Sequence, residues 1–493
     1  MSLSRREFMQ YAASASSLAA TGIANHDFEF QPGLLPAKKE IWDWQTWMAN
    51  LGPKFTGNKA HHTFVDFLEK QLQSSGFQVS RDNVRFPLWE ARHTAITVTP
   101  NEGASFDAAV TSAVPYSGQT SGSGITADLV YAGWAPAIDL RNVKGKIIFV
   151  DAPVRARSWA QWYPHVWGTN PPDKAFPCAV HPCRAGIGLG QASGTTPIPD
   201  VNEFREAGAV GAIIGWTDVS DANAAHQYVG GAKLADMPSL WVGRETGARL
   251  RKLALGRGAK VTLTLEADLD QNASTDHLIA PLAGMTDDEI ILVNSHTDGT
   301  NATEENGGLA VIALAKYFSQ IPKTQRRRTI MFVLQSGHMS HGYVRSIHDV
   351  LERHPDFVTK SAAAVTIEHL GCQEWQDDTS FNYKHTGQNE IAIAYAPLKI
   401  HGDIMLKAFQ SSANPAMRTA IVQSSAIGDT GESFGLYAAG VPTLGMIVMP
   451  DYLWSAPPNG HIEKLDSDLM YGQIQAFAKI IHTLCNGTAS SLA

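Results

Sequence analysis

Charge is scarce in this chain. Only 17% of its 493 residues are Asp, Glu, Lys or Arg, against a usual ~25%. The 39 basic residues are outnumbered by 47 acidic ones, a formal charge of −8, so no basic surface is available for a polyanion and nucleic-acid binding is excluded as a first reading. Cysteine is scarcer still: four residues are too few for a disulfide scaffold. Past the N-terminus no uncharged apolar run approaches the ~20 residues that cross a bilayer, so no stable membrane insertion is expected. A G-x-S-x-G elbow is missing too, and neither Ser336-Gly337-His338 nor Gly435-Leu436-Tyr437 has the supporting spacing, which speaks against serine hydrolysis. What remains is a chain that is 44% hydrophobic along its whole length, with 42 glycines and 25 prolines. At roughly 100–200 residues per domain, two to four globular domains are expected.

The first residues read as an address. Ser4-Arg5-Arg6-Glu7-Phe8-Met9 precedes an uncharged Ala/Ser-rich stretch from Gln10 to Asn25 and a small-residue processing site, Gly22-Ile23-Ala24. This resembles a twin-arginine signal over residues 1–25, which implies the twin-arginine (Tat) export machinery as a partner and a periplasmic or secreted location. A basic N-terminal helix is the plainer alternative. In an oxidising compartment Cys178 and Cys183, five positions apart, can form a short disulfide; free thiols, or a metal site with His181, are the other readings. Cys372 and Cys485 are expected to be unpaired core residues.

From Ile41 to Asn83 the pattern is helical, with Phe64, Phe67, Leu68 and Leu72 at three- and four-residue steps and Gly76 as the stop. Phe77-Gln-Val-Ser80 and the stretch around Ile96 read as strands. Near Gly103 the texture becomes rich in Gly, Ala and Val. Short strands are expected at Ala127–Tyr131, Lys146–Val150, Val210–Ile214, Pro238–Val242 and Lys260–Leu265, with a helix at Glu203–Gly208, so that residues 103–268 read as a strand-rich insert. After about Ser274 strands alternate with helices: Glu289–Asn294, a helix from Gly308 to Ile321, Thr329–Leu334, Ala363–Glu368 and Pro442–Val448. That alternation argues for an open α/β sheet whose ligands bind at the carboxyl ends of the strands.

Those ends are polar. The first delivers Asn294-Ser-His296-Thr-Asp298-Gly299 and then Glu304-Glu305-Asn306-Gly307-Gly308 at a helix start; the second delivers Ser336-Gly337-His338; the third delivers Glu368-His369. Gly460-His461-Ile-Glu463-Lys-Leu-Asp466 follows a Pro-rich loop. Imidazoles and carboxylates converging on one edge are what zinc requires, and two ions sharing a bridging carboxylate would need about five such groups.

On these residues the sequence resembles the M28 zinc metallopeptidases, the aminopeptidase-like exopeptidases, with an inserted protease-associated (PA) domain. Gly57-Asn-Lys-Ala-His61 is similar to that family's opening G-S-x-x-H segment, and the stretch from Glu203 to Ile214 to its PA insert. The resemblance implies an α/β fold, a mixed sheet flanked by helices, with the peptidase domain at 26–102 and 269–493 and a strand-rich PA-type domain at 103–268. It implies that His296 binds one metal and that Asp298 orients it from behind. It further implies that Glu305 bridges two ions, that Glu368 is the later carboxylate ligand, and that His461, with Asp466 nearby, is the last. Asp429 and Glu432 fall in a substrate-facing loop. One departure stands out: the family's Glu-Glu pair, general base and ligand, is missing, and Ser336-Gly337-His338-Met339 stands there. His338 is a ligand replacing the second Glu, a base replacing the first, or neither; Glu304 and Glu432 are substitute base candidates.

The function so implied is an exported hydrolase with one or two zinc ions, cutting amide bonds of peptides or peptide-like compounds. A catalytically inactive binding protein and a single-zinc cyclase on the same fold are the rival readings.

Overall fold

The computed structural model describes residues 30–135, 137–154, 163–172, 200–230, 234–412, 414, 416–427 and 431–487. The signal-like segment 1–25, Cys178, Cys183 and Asp429 lie outside these residues. Two helices come first, α1 (Lys38–Ala49) and α2 (Lys59–Ser74). The helical periodicity runs through both, but Gly52 at φ 77° and Pro53 interrupt it. At the start of α2, Asn58 accepts the backbone N–H of His61 at 2.8 Å, a cap that contributes ~1 kcal/mol. Phe64, Val65, Leu68 and Leu72 form its buried face.

The next strand is longer than the sequence suggests. β1 (Ser80–Pro100) runs antiparallel to β2 (Ala259–Leu282) from Ser80↔Ile279 to Pro100↔Ala259, with irregularities at Phe86/Leu88 and Ala91/His93 that let the ribbon bend. One end of β2 pairs with Ile125–Trp134, which continues through Ile147–Ala152, Gly211–Trp216 and Ser239–Val242 as a parallel run. Ile148, Val150, Ile214 and Trp216 pack on one face of this run. Ile147, Phe149, Ile213 and Leu240 pack on the other, as continuous apolar strands covered on both sides must. Val166–Asn170, within the same stretch of sequence, pairs instead with Arg418–Gln423 at the opposite edge of the sheet.

The other end of β2 leads into the part of the sheet that positions the polar loops. β3 (Thr286–His296), α3 (Gly307–Ser319), β4 (Arg328–Gln335), β5 (Ser361–Ile367), β6 (Thr443–Ile447) and α4 (Ser467–Asn486) follow in order. β2 pairs antiparallel with β4; β4, β3, β5 and β6 are then mutually parallel. Ile391–Ala396 adds antiparallel to β6 and parallel to Arg418–Gln423, two strands the sequence reading does not anticipate. The described residues from Pro32 onward form one compact unit. α3 is buried almost all round, since it packs on β3 with α2 and α4 covering it. Its first residue must be glycine: a Cβ on Gly307 would lie 2.0 Å from the Ile367 carbonyl oxygen and 2.2 Å from Ser295 Oγ. That close approach brings the loop before α3 onto the carboxyl ends of β3 and β5. His296 registers beside Gln335 and Asn294 beside Thr366, so three chain segments deliver their polar residues to one edge.

Candidate metal centre

His296 closes β3 with a fully buried ring. Its Nδ1 donates to the backbone carbonyl of Asp298 at 2.7 Å, which leaves the lone pair on Nε2; that atom is buried and has no hydrogen-bond partner. His369, two residues past β5, repeats the arrangement: Nδ1 donates to the Val448 carbonyl at 2.6 Å, and buried Nε2 is unpartnered. Its backbone sits at φ 56°, left-handed and costly for a non-glycine residue. Burial lowers the pKa of both rings, that of His369 to about 4, so both are neutral, the form that binds a metal. In each, the second nitrogen is fixed by a backbone oxygen, the outer support that orients ligating histidines.

Two carboxylates face these nitrogens. Glu368 accepts the Glu432 backbone N–H on Oε1 at 2.8 Å, and its Oε2 lies 4.0 Å from His296 Nε2 and 3.9 Å from His369 Nε2. Glu304 Oε2 lies 3.6 Å from His369 Nε2. Neither Oε2 has a hydrogen-bond partner. Buried polar atoms left without partners this close together are unfavourable by themselves. With metal–ligand bonds of ~2.0–2.2 Å, two ligands of one ion lie within ~4.4 Å of each other, and the separations of 3.6–4.0 Å satisfy that limit. The donor set, two neutral imidazoles with carboxylate oxygen, fits zinc. Burial, and then the charge of Glu432, push the Glu368 carboxyl up to about 8, a cost that a bound cation would remove.

His338 lies beside this set and is occupied. Nδ1 is 2.8 Å from Glu432 Oε1 and Nε2 is 2.9 Å from Glu304 Oε1. Burial opposes its charge, but the two carboxylates override burial and hold the imidazole pKa well above its ordinary value. Both ring nitrogens thus face carboxylates, while the ring also belongs, with His296 and Glu304, to a second group that could hold an ion. In this arrangement His338 bridges the two carboxylates, Glu304 and Glu432. Its ring stacks on His296 at 4.3 Å and on Trp454 at 5.9 Å. Glu432 also accepts from Gln335 Nε2 at 3.0 Å and from the Ser346 hydroxyl. Although burial raises the Glu432 pKa, His338 and the Ser346 hydroxyl bring it below the usual carboxylate range. Glu432 is thus a buried partner of His338.

Three other expected site residues make their contacts outside this cluster. Glu305 points away from the cluster: its Oε1 pairs with Lys54 Nζ at 2.5 Å, both side chains being fully buried. Adjacent residues at a helix start diverge by about a quarter-turn, so only one of the two Glu can face the cluster, and that one is Glu304. His461 is in neither group of side chains that could hold an ion among the described residues. Its ring contacts Ser455 Oγ at 3.1 Å and Glu463 Oε1 at 3.0 Å, while Asp466 accepts Leu469 N–H at 2.7 Å as the cap of α4. The Asp298 side chain does not touch the His296 ring. It accepts from Gly337 N at 3.0 Å, from Met339 N at 2.7 Å and from the Thr56 hydroxyl, so it holds the 337–339 turn, and its carbonyl rather than its carboxylate orients His296.

Further hydrogen bonds brace these loops. The Asn306 side chain donates to the Leu370 carbonyl and accepts Leu370 N–H, each at 2.8 Å, which ties the Glu304 turn to the His369 turn. Thr366 Oγ1 donates to Asn294 Oδ1 at 2.8 Å. His61, from the opening motif, contacts the Thr297 hydroxyl at 2.8 Å, and Thr297 meets Ser336 Oγ at 2.9 Å. The signal for His369 was in the sequence, directly after Glu368. The direction in which Glu304 faces had no sequence signal.

No protein-family model matches the sequence, and no curated protein matches it. Solved structures do match. A peptidase M28 precursor from Shewanella amazonensis SB2B superposes with a TM-score of 0.66 at 20% identity, over 98% of this chain and 96% of that one. BSAP, a zinc aminopeptidase from Bacillus subtilis, gives 0.64 at 14% identity over 93% and 98%. An aminopeptidase from Aneurinibacillus sp. strain AM-1 gives 0.59 at 16% identity over 91% and 93%. In its mixed sheet, flanking helices and strand-end loops, the chain has the fold of the M28 aminopeptidases.

Proposed function

We propose that the protein is an exported, metal-dependent hydrolase of amide bonds in peptides or peptide-like compounds. The observation that carries this reading is the convergence of His296 Nε2, His369 Nε2 and Glu368 Oε2, buried atoms without hydrogen-bond partners, with Glu304 Oε2 3.6 Å from His369 Nε2, at the strand ends of an aminopeptidase fold. His296, Glu368 and His369 would hold zinc as two imidazoles and one carboxylate, the composition of catalytic zinc sites that keep a position open. Zinc there supplies Lewis-acid polarisation of a scissile carbonyl and draws the pKa of water towards ~7.

The chain's own groups do the rest. Glu304 is pinned on one oxygen by His338 and presents the other to the site; it accepts the proton of the attacking water and returns it to the leaving amine. His338 keeps Glu304 in this rotamer, and its charge offsets the repulsion between Glu304 and Glu432. His338 is also the solvent-reached member, with 20% of its side chain exposed, so substrate approaches from its side, beneath Trp454. The twin-arginine signal at residues 1–25, the peptidase domain at 26–102 and 269–493, and the PA-type insert at 103–268 belong to this reading.

A cyclase on the same fold would use the same ligand set and Glu304, with an amine of the substrate as the nucleophile in place of water. One experiment separates the readings. Zinc-loaded protein is incubated with aminoacyl anilides and with peptides carrying an N-terminal glutamine, and released amine, ammonia and products are analysed by mass. Uptake of one water per turnover supports the hydrolase; loss of ammonia without water uptake supports the cyclase. No turnover of either substrate class by metal-replete protein favours a binding protein.

A further inference from the structure

We infer that this centre holds a single metal ion, and that the ammonium of Lys54 supplies the positive charge that Glu305 would take from metal in a two-ion centre. The inference deepens the proposed function and rests on it.

Two groups of side chains among the described residues could hold an ion, His296 with Glu368 and His369, and His296 with Glu304 and His338. Both need His296. Its Nδ1 is committed to the Asp298 carbonyl, so one lone pair, on Nε2, serves both groups, and a lone pair binds one ion. The second group is further compromised because both nitrogens of His338 are hydrogen-bonded to carboxylates. The groups that the sequence offered for a second ion are elsewhere. His461 is engaged by Ser455 and Glu463, and Ser336-Gly337 carries no carboxylate.

Glu305 is the remaining candidate, and its partner is already present. Lys54 Nζ lies 2.5 Å from Glu305 Oε1 as an ion pair and donates to the Gly52 carbonyl at 2.7 Å and the Met48 carbonyl at 3.2 Å, which hold the ammonium in place. The backbone holds the lysine there: Lys54 N–H donates to Gly299 O at 2.8 Å and Gly299 N–H to Lys54 O at 3.0 Å. A buried carboxylate needs a cation close by. Here a covalently attached one, fixed to the loop that follows His296, makes a second ion unnecessary.

The test counts ions and measures affinity. Protein purified without chelator, and the same protein dialysed after loading with excess zinc, is analysed by native mass spectrometry and elemental analysis. One zinc per chain in both samples is expected; two would overturn the inference, and none would instead overturn the proposed function. Because Lys54→Met alone leaves Glu305 buried and unpaired, the second arm uses Lys54→Met/Glu305→Gln, which removes both charges. Its zinc dissociation constant, from chelator competition, should lie within about threefold of wild type. A loss of more than about tenfold, with the variant still folded by circular dichroism, would make Glu305 a ligand and overturn the inference.

Discussion

Asn223 donates its side-chain amide to Asp451 Oδ2 at 3.0 Å across 228 residues of sequence. The same nitrogen donates to Asp377 Oδ2 at 3.1 Å, and Gln227 Nε2 donates to the Asp451 carbonyl at 3.1 Å. Tyr228 N–H then donates to the Trp454 carbonyl at 2.7 Å, and Ala456 N–H to the His226 carbonyl at 2.9 Å. The 451–456 loop is therefore held by the stretch 223–228, inside the segment read as an insert, and that loop sets Trp454 against His338.

This linkage predicts a positioning role for the 223–228 stretch. Asn223→Ala removes two hydrogen bonds to carboxylates, one buried and one part-buried, and is expected to lower stability by about 2 kcal/mol. It should leave zinc content at the wild-type level and lower kcat more than it raises KM. Thermal denaturation, elemental analysis and steady-state kinetics on one preparation check all three; unchanged kinetics would reduce the linkage to scaffolding.

Single substitutions should sort the histidines. His296→Ala and His369→Ala each remove a ligating nitrogen, and zinc affinity should fall by more than the ~10–100-fold that loss of an outer support causes. His461→Ala, outside the cluster, should retain wild-type zinc. Equal loss in all three would restore His461 to the ligand set.

His338→Ala takes away the cation between Glu304 and Glu432. Breaking a buried ion pair on one side costs about 3–5 kcal/mol, and release of Glu304 should reduce kcat by about 10²–10⁴. Because no ligating atom is lost, metal content should be preserved, and added zinc should recover part of the melting temperature. Zinc loss matching that of His296→Ala would instead make His338 a ligand.

Lys464 gives the chain a pH-dependent term outside the centre. Its ammonium lies 4.7 Å from the Tyr383 ring, 4.9 Å from Tyr452 and 5.2 Å from Trp375. Burial, opposed by Glu463 and Asp451, lowers its pKa from 10.5 to about 8. Between these values the unfolded chain holds a proton that the folded chain has released, so Lys464 adds stability as pH rises through that window and changes nothing above it. Urea denaturation at about pH 7.5 and about pH 10.5 should show wild type gaining on Lys464→Met; a difference independent of pH would reject this assignment.

Export is tested separately. Replacing Arg5 and Arg6 with Lys keeps the charge but should leave the protein in the cytoplasm, and an unchanged periplasmic yield would discard the signal.

The strand and helix order from β3 to α4 was legible because its signals are local. Ile290 to Val293 and Ile330 to Leu334 are continuous apolar runs, Gly307 and Gly308 mark a tight helix start, and polar residues follow each strand directly. His296 and Glu368 were legible as members of the cluster for the same reason, each standing where an apolar run ends. What tertiary structure alone decided is which way side chains face and which distant segment meets them. Glu304 and Glu305 are equivalent in sequence, but the turn before α3 aims one at His338 and the other at Lys54, 251 positions upstream. His461 matched a motif, yet its loop at φ 57° turns the ring toward Glu463, while His369 at φ 56° is held against Val448 and reaches the cluster. Periodicity records how often a residue type recurs along the chain, whereas a metal centre depends on where lone pairs point after non-local strands, bent ribbons and left-handed turns have been packed together.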